Sequence, residues 1–138
     1  MRILLDTCVI SELQRPSPHP AVYHRVEGLD DETIFLSVLT LGELSKGVAL
    51  LEPGTRKDAL TSWIADIERR FRERILPIDV DVAHLWGEMT ARARSNGIQI
   101  PAVDGLIAAT ALRHGLMVMT RNTRDFAATG AVILDPWD

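Results

Sequence analysis

Arg2-Ile-Leu-Leu-Asp6-Thr7 opens the chain with an apolar run that ends in an acidic residue. Short apolar runs followed by helical patterns are typical of buried strands in parallel sheets. Similar runs predict further strands at 33–37, 75–78, 116–119 and 132–134. Pro77 has no backbone donor, so the strand at 75–78 suits an edge of the sheet.

Helical patterns lie between these strands. Apolar spacings of three and four residues, together with proline and glycine boundaries, favour helices. The predicted helices cover 7–14, 20–28, 40–51, 55–74, 82–93 and 104–115, and Thr123 is expected to cap a further short helix. Because parallel neighbours need crossover connections, this alternation predicts an α/β fold with a central, mainly parallel sheet.

The composition fits one domain over residues 1–138. The chain is 46% hydrophobic and 25% charged, which is enough apolar material for a core. Its net charge of -4 argues against a cationic, nonspecific nucleic-acid binder, so any such contact must be local. Cys8 is the only cysteine, which excludes an intrachain disulfide and a zinc site of paired thiolates and fits a reducing cytoplasm. No apolar run approaches the roughly 20 residues of a membrane span, so we expect no membrane association.

Acidic residues occur at matching places in four different structural units of the chain. Asp6 directly follows the first strand, and Asp125 lies just after the strand that ends near Thr120. Glu43 and Asp104 stand near the starts of two predicted helices. Because ligands of parallel sheets bind beyond the carboxyl ends of the strands, we expect these acids to form a site there.

Such a cluster has an electrostatic cost. Two carboxylates about 5 Å apart repel by roughly 3 kcal/mol at an effective dielectric constant near 20. Several such pairs would rival the stability of a whole domain, about 5 to 15 kcal/mol. The cluster therefore needs protonation, arginine neighbours or a divalent cation. With no His or Cys positioned among the acids, an all-oxygen ligand set suits Mg²⁺ or Mn²⁺ better than Zn²⁺.

Each acid also has a structural interpretation. Thr40-x-x-Glu43 is a capping-box pattern, and this spacing alone favours a cap over a ligand. Asp104 and Asp125 each lie in a first helical turn, where the helix dipole favours an acid. For Asp6, which directly follows a buried strand, a helix-capping role and a ligand-binding role are about equally favoured. Cys8 has no identifiable base beside it and is expected to be a small packing residue.

Four ordered motifs together resemble the PIN-domain ribonucleases, most closely the VapC and FitB type of toxin from bacterial toxin–antitoxin pairs. The motifs are Leu4-Leu-Asp-Thr-Cys-Val-Ile-Ser-Glu12, Leu36-Ser-Val-Leu-Thr-Leu-Gly-Glu-Leu44, Asp104-Gly-Leu-Ile-Ala-Ala-Thr-Ala111 and Thr120-Arg-Asn-Thr-Arg-Asp-Phe126, with a closing Asp135-Pro-Trp137. The resemblance runs nearly end to end. It implies a three-layer α/β/α domain and a metal-dependent endoribonuclease toxin.

The resemblance also implies roles for individual residues. Asp6, Glu43, Asp104 and Asp125 would hold Mg²⁺ or Mn²⁺ and take part in cleaving an RNA phosphodiester. Thr7, Thr120 and Asn122 would orient these acids, the attacking water or the phosphate. Cys8 departs from the pattern, because many relatives carry Asn there. Hydrolysis by water would leave 5′-phosphate and 3′-hydroxyl ends.

Partners follow from charge and from the same resemblance. An acidic protein needs local cations to hold RNA, and the candidates are Arg121, Arg124, Arg69 and Arg72. The relatives form homodimers and are inhibited by a small cognate antitoxin, so we expect both here, or a larger toxin–antitoxin assembly, with Trp63 and Phe71 as interface residues.

Two alternative functions stay open: an Asp6-dependent phosphohydrolase, and a noncatalytic protein-binding α/β module.

Overall fold

Five strands run parallel in one sheet in the computed structural model, which describes all of residues 1–138. The strands are β1 (Ile3–Leu5), β2 (Ile34–Ser37), β3 (Ile75–Leu76), β4 (Met117–Met119) and β5 (Ile133–Leu134). Their spatial order is β3-β2-β1-β4-β5, so β1 is central and β3 lies at an edge, as its proline predicts. All five predicted strands are confirmed, within one or two residues at each end.

Helices connect the strands. They are α1 (Thr7–Leu13), α2 (Pro20–Glu27), α3 (Val38–Ala49), α4 (Thr55–Arg70), α5 (Val80–Ser95), α6 (Ala102–His114) and α7 (Thr123–Phe126). None of them combines the length and the apolar character needed to cross a membrane.

Two apolar clusters lie on opposite faces of the sheet. Ile3 and Leu5 point into one cluster, which includes residues of α1, α2, α3 and α4. Leu4, between them, points into the other, which includes residues of α5, α6 and α7. This alternation follows from the period-two geometry of a strand and confirms the three-layer α/β/α architecture.

Two predicted helix caps are wrong. Ser37, the last residue of β2, caps α3, because its hydroxyl accepts a hydrogen bond from the Leu39 amide at 3.0 Å. Thr40 is therefore inside the helix and fully buried, and the capping-box interpretation is wrong. Asn122, not Thr123, occupies the cap position of α7.

The long fourth helix ends earlier than its pattern predicts. α4 stops at Arg70, and a 3-10 turn over Arg72–Arg74 leads into β3. Phe71 at the junction is 1% exposed and belongs to the apolar cluster beside α4, so its predicted place in an interface is wrong. Trp63 is half-buried against the same cluster.

Candidate active site

Asp6 lies directly beyond the carboxyl end of the central strand, at the cap position of α1. The pairing of Leu5 with Met119 places Thr120 next to it. Thr120 Oγ1 donates a hydrogen bond to Asp6 Oδ2 at 2.8 Å, and the Thr7 amide donates to Asp6 Oδ1 at 2.9 Å. Asp6 is only 4% exposed, so these contacts fix the orientation of its carboxylate.

Thr7 connects Asp6 to Glu43. While its amide contacts Asp6, its hydroxyl donates to Glu43 Oε1 at 2.5 Å and lies 3.1 Å from Thr40 Oγ1. The parallel pairing of β1 with β2 explains this arrangement, because it sets the start of α1 beside the start of α3. Glu43 therefore faces the neighbouring strand–helix unit and does not cap its own helix.

Asp104 lies in the first turn of α6 and is half-buried. Burial raises its pKa to about 6, and the negative charges of Asp6, Asp125 and Glu43 add to the increase. The negative charge of each of the other three predicted acids therefore acts on the Asp104 carboxyl. Asp104 thus lies within electrostatic reach of acids that follow β1, β2 and β4, although its own helix follows α5 and not a strand.

Burial also raises the pKa of Asp6, and the charge of Glu43 acts in the same direction. The hydrogen bonds from Thr120 and Thr7 oppose that increase, since they stabilise the ionised carboxylate. Two neighbouring acids with raised pKa values are typical of functional sites, although buried ion networks also produce them.

Most donors at this edge are carboxylate and hydroxyl oxygens, which fit a hard divalent cation. The Cys8 thiol, 3.8 Å from Asp6 Oδ2, is the one soft donor among them, contrary to the expectation that no Cys lies among the acids. A cation would also offset the charge repulsion that raises the pKa of Asp104. As they stand, no three His, Cys, Asp or Glu side chains are close enough together to hold a metal ion. Joint coordination by the four acids therefore remains a prediction.

The β4–α7 loop is tied to the site by its backbone. The Asn122 amide donates to Thr120 Oγ1 at 3.0 Å, and the Arg121 amide donates to Cys8 Sγ at 3.5 Å. Cys8 Sγ in turn lies 3.8 Å from Asp6 Oδ2 and 3.6 Å from Thr120 Oγ1. Asn122 contacts the site through its amide, and its side chain makes no capping bond.

Sequence reasoning undervalued two residues of this site. The sequence predicts only a packing role for Cys8, yet its thiol contacts both Asp6 and the Arg121 amide of the β4–α7 loop. Burial raises the pKa of this thiol. Thr40 was assigned to a cap, yet its buried hydroxyl lies against Thr7. The sequence offers one signal for Thr40, a hydroxyl residue one helical turn before Glu43 and on the same side of the helix.

The predicted RNA-binding arginines differ in their surroundings. Arg69 forms an ion pair with Asp66, whereas Arg72 is exposed and unpaired. Arg124 is also exposed and unpaired. Arg121 stacks its guanidinium over the ring of Trp137, 5.2 Å from the ring centroid.

Comparison with known proteins places the chain in a family. The model of the PIN domain matches residues 3–132. Toxin FitB of Neisseria gonorrhoeae is 43% identical, with 98% of each chain covered, and VapC ribonuclease Y4jK of Sinorhizobium fredii is 38% identical, covering 99% of this chain and 98% of the relative. A solved structure of FitAB bound to an IR36 DNA fragment superposes with a TM-score of 0.94 at 41% identity, covering 99% of this chain and 96% of that one. The chain therefore belongs to the PIN domain family.

Proposed function

We propose that this protein is a Mg²⁺- or Mn²⁺-dependent endoribonuclease, the toxin of a toxin–antitoxin pair, formed by one domain over residues 1–138. The observation that carries the proposal is the grouping of acids: Thr7 contacts both Asp6 and Glu43, and the charges of these two acids and of Asp125 raise the pKa of the half-buried Asp104. Such an arrangement favours a cation and, through it, a phosphodiester. The similarity to Toxin FitB and to a VapC ribonuclease supports the same activity.

Asp6, Glu43, Asp104 and Asp125 would hold the cation. When bound, it supplies Lewis acidity toward a phosphate oxygen and favours ionisation of water. Asp6 is held by two hydrogen bonds and orients the attacking water, while the exposed Asp125 accepts its proton. Because the nucleophile is water and not the ribose 2′-hydroxyl, the products carry 5′-phosphate and 3′-hydroxyl ends.

Thr7 and Thr120 position the acids, and Asn122 positions the loop that carries Asp125. The Thr7 hydroxyl restrains Glu43, and the Thr120 hydroxyl restrains Asp6. RNA reaches the site across local arginines, for which Arg121, Arg124, Arg69 and Arg72 are the candidates. Arg69 is already paired with Asp66, so it contributes least.

The protein acts in the cytoplasm as a homodimer and is inhibited by a small antitoxin that covers the acids. Similarity to the structure of FitAB on DNA supports a larger toxin–antitoxin assembly. Light scattering of the purified chain and of the coexpressed pair measures both states. A chain that stays monomeric at working concentrations contradicts the homodimer.

Of the alternatives, the phosphohydrolase is disfavoured by the surroundings of Asp6. Two residues after Asp6, where such an enzyme uses a second acid, the chain has Cys8, whose thiol lies 3.8 Å from Asp6 Oδ2. A noncatalytic module gives no reason for the charge repulsion around Asp104.

The test compares the wild type with Asp104→Asn on end-labelled structured RNA, with Mg²⁺, with Mn²⁺ and with chelator. Asp58→Asn is the matched control, because Asp58 is an exposed acid in the first turn of α4. We expect metal-dependent cutting by the wild type and the control, and none by Asp104→Asn. Products with 2′,3′-cyclic phosphates, or equal cutting by all three proteins, would contradict the mechanism.

A further inference from the structure

We propose that Arg121 binds an RNA phosphate beside the four acids and that Trp137 positions its guanidinium for this contact. The inference rests on the proposed function and specifies how an acidic site holds a polyanion. Trp137 is a positioning residue in this scheme, because it acts on RNA only through Arg121.

The backbone of Arg121 is fixed next to the acids. The residue directly follows Thr120, whose hydroxyl contacts Asp6, and its own amide donates to Cys8 Sγ at 3.5 Å. The Thr120 amide also bonds to the Leu134 carbonyl at 3.0 Å, which holds this loop against the end of β5. A side chain that leaves the backbone here starts at the edge of the sheet where the acids lie.

The guanidinium of Arg121 differs from every other stacked guanidinium in the protein. Three other arginines stack on aromatic rings, and all three also donate side-chain hydrogen bonds within the protein: Arg2, Arg70 and Arg74. Arg121 is exposed, donates no side-chain hydrogen bond and belongs to none of the four ion pairs. Its donors are therefore free for an external acceptor.

Trp137 is itself held in place. Its amide donates to Asp135 Oδ1 at 2.9 Å, and its half-buried ring packs against the apolar cluster on the α1–α4 face. Stacking on an aromatic face restrains a guanidinium while its edge donors remain accessible. A guanidinium restrained in this way loses less conformational entropy on binding a phosphate than a freely moving one does.

The test measures binding of a labelled oligouridylate to full-length protein in the Asp104→Asn background with Mg²⁺, across a series of salt concentrations. Arg121→Ala should weaken binding about tenfold, as expected for one charge-assisted contact. It should also reduce the slope of log K against log salt by about 0.7, the value for one phosphate on a single strand. Arg25→Ala removes an exposed arginine in the last turn of α2 that, like Arg121, makes no side-chain hydrogen bond or ion pair, and it should change neither quantity.

A double-mutant cycle tests whether Trp137 acts on RNA binding through Arg121. Trp137→Leu should weaken binding about two- to fivefold in the presence of Arg121, and Trp137→Phe should restore most of it. In Arg121→Ala, Trp137→Leu should have no further effect, which a purely structural role of the tryptophan would not produce. Thermal unfolding of each variant identifies losses caused by instability, and Trp137→Phe keeps the ring in place if Trp137→Leu does not fold.

Three results would overturn the inference: an unchanged salt slope in Arg121→Ala, an equal effect of Trp137→Leu with and without Arg121, or no binding of oligouridylate by the Asp104→Asn protein. Cleavage by the wild type is measured separately. If the wild type cuts RNA while the salt slope is unchanged, this inference fails and the proposed function stands.

Discussion

Replacing Asp104 by Asn in metal-free buffer should stabilise the protein at neutral pH. Its folded-state pKa of about 6 lies above the ordinary value of 3.8, mainly because burial disfavours the charged form. Between these two values the folded state binds more protons than the unfolded state, so stability falls as the pH rises through this window. Above about pH 6 the ionised carboxylate exerts its full destabilising effect, which Asn does not.

The size of this effect follows from the increase in pKa. A rise from 3.8 to about 6 corresponds to about 3 kcal/mol at full strength. Asp104 is only half-buried, so solvent screening reduces the expected gain to about 1–2 kcal/mol. Loss of a favourable charge in the first turn of α6 subtracts about 0.3–1 kcal/mol above about pH 6, where the carboxyl is ionised in the folded state.

Urea unfolding with chelator, at about pH 4.5 and about pH 7.5, measures the difference. Asp104→Asn should be more stable than the wild type at the higher pH and gain little at the lower. Asp58→Asn, an exposed first-turn acid of α4, corrects for the helix dipole. An equal gain at both pH values, or a loss at the higher one, would refute the electrostatic interpretation of the site.

Three further substitutions test contacts on either side of the sheet. Thr120→Val removes the 2.8 Å hydrogen bond to Asp6 and should lower the free energy of unfolding in urea by about 1–3 kcal/mol. Because that bond lowers the pKa of Asp6, its loss should also move the acidic limb of the pH–rate profile to higher pH. Gly105→Ala puts a methyl group 3.0 Å from Trp86 Cδ1, and the overpacking cost of about 1–3 kcal/mol should outweigh the helix-propensity gain of about 1 kcal/mol and lower the Tm. Arg74→Met removes guanidinium bonds to backbone carbonyls, one of them in β2 at 2.7 Å, and should destabilise the fold by about 1–3 kcal/mol in the same unfolding assay.

Each of these substitutions has a matched control in the chain. Thr110→Val changes a fully buried threonine that bonds only within α6, so the pH–rate profile should stay in place. Gly87→Ala lies in α5 with no atom within 4 Å of the new methyl group and should stabilise the protein. Arg72→Met alters an exposed, unpaired side chain and should leave stability unchanged. If a control behaves like its partner, the contact invoked for that pair is not the cause.

Strand positions and the meeting of the acids were predictable because both follow from local patterns and one topological rule. Apolar runs of three to five residues located every strand, and the strand-end rule then placed Asp6 and Asp125 at one edge, after β1 and β4. The rule needs only the direction of the strands. It requires no knowledge of which helix faces which.

What the sequence did not reveal depends on contacts between distant units. Thr40 matched a capping box by spacing, but the preceding Ser37 provides the cap as the last residue of β2, so the helix begins earlier. Local spacing cannot choose between two hydroxyl residues three positions apart when the end of the preceding strand determines where the helix begins. The burial of Phe71 is similar, because the helical stripe indicated an apolar face but not that the core itself would cover this residue.

The site is made by contacts between residues far apart in the chain. Thr120 and Asp6 are 114 positions apart, and Thr7 and Glu43 are 36 apart. Both contacts depend on β1 pairing with its two parallel neighbours, β2 and β4. Parallel pairing closes long loops, so these contacts form only when the sheet has assembled. Charge repulsion among the acids therefore acts only on the folded chain, which is why its cost can be measured as stability and relieved by protonation, by substitution or by a bound cation.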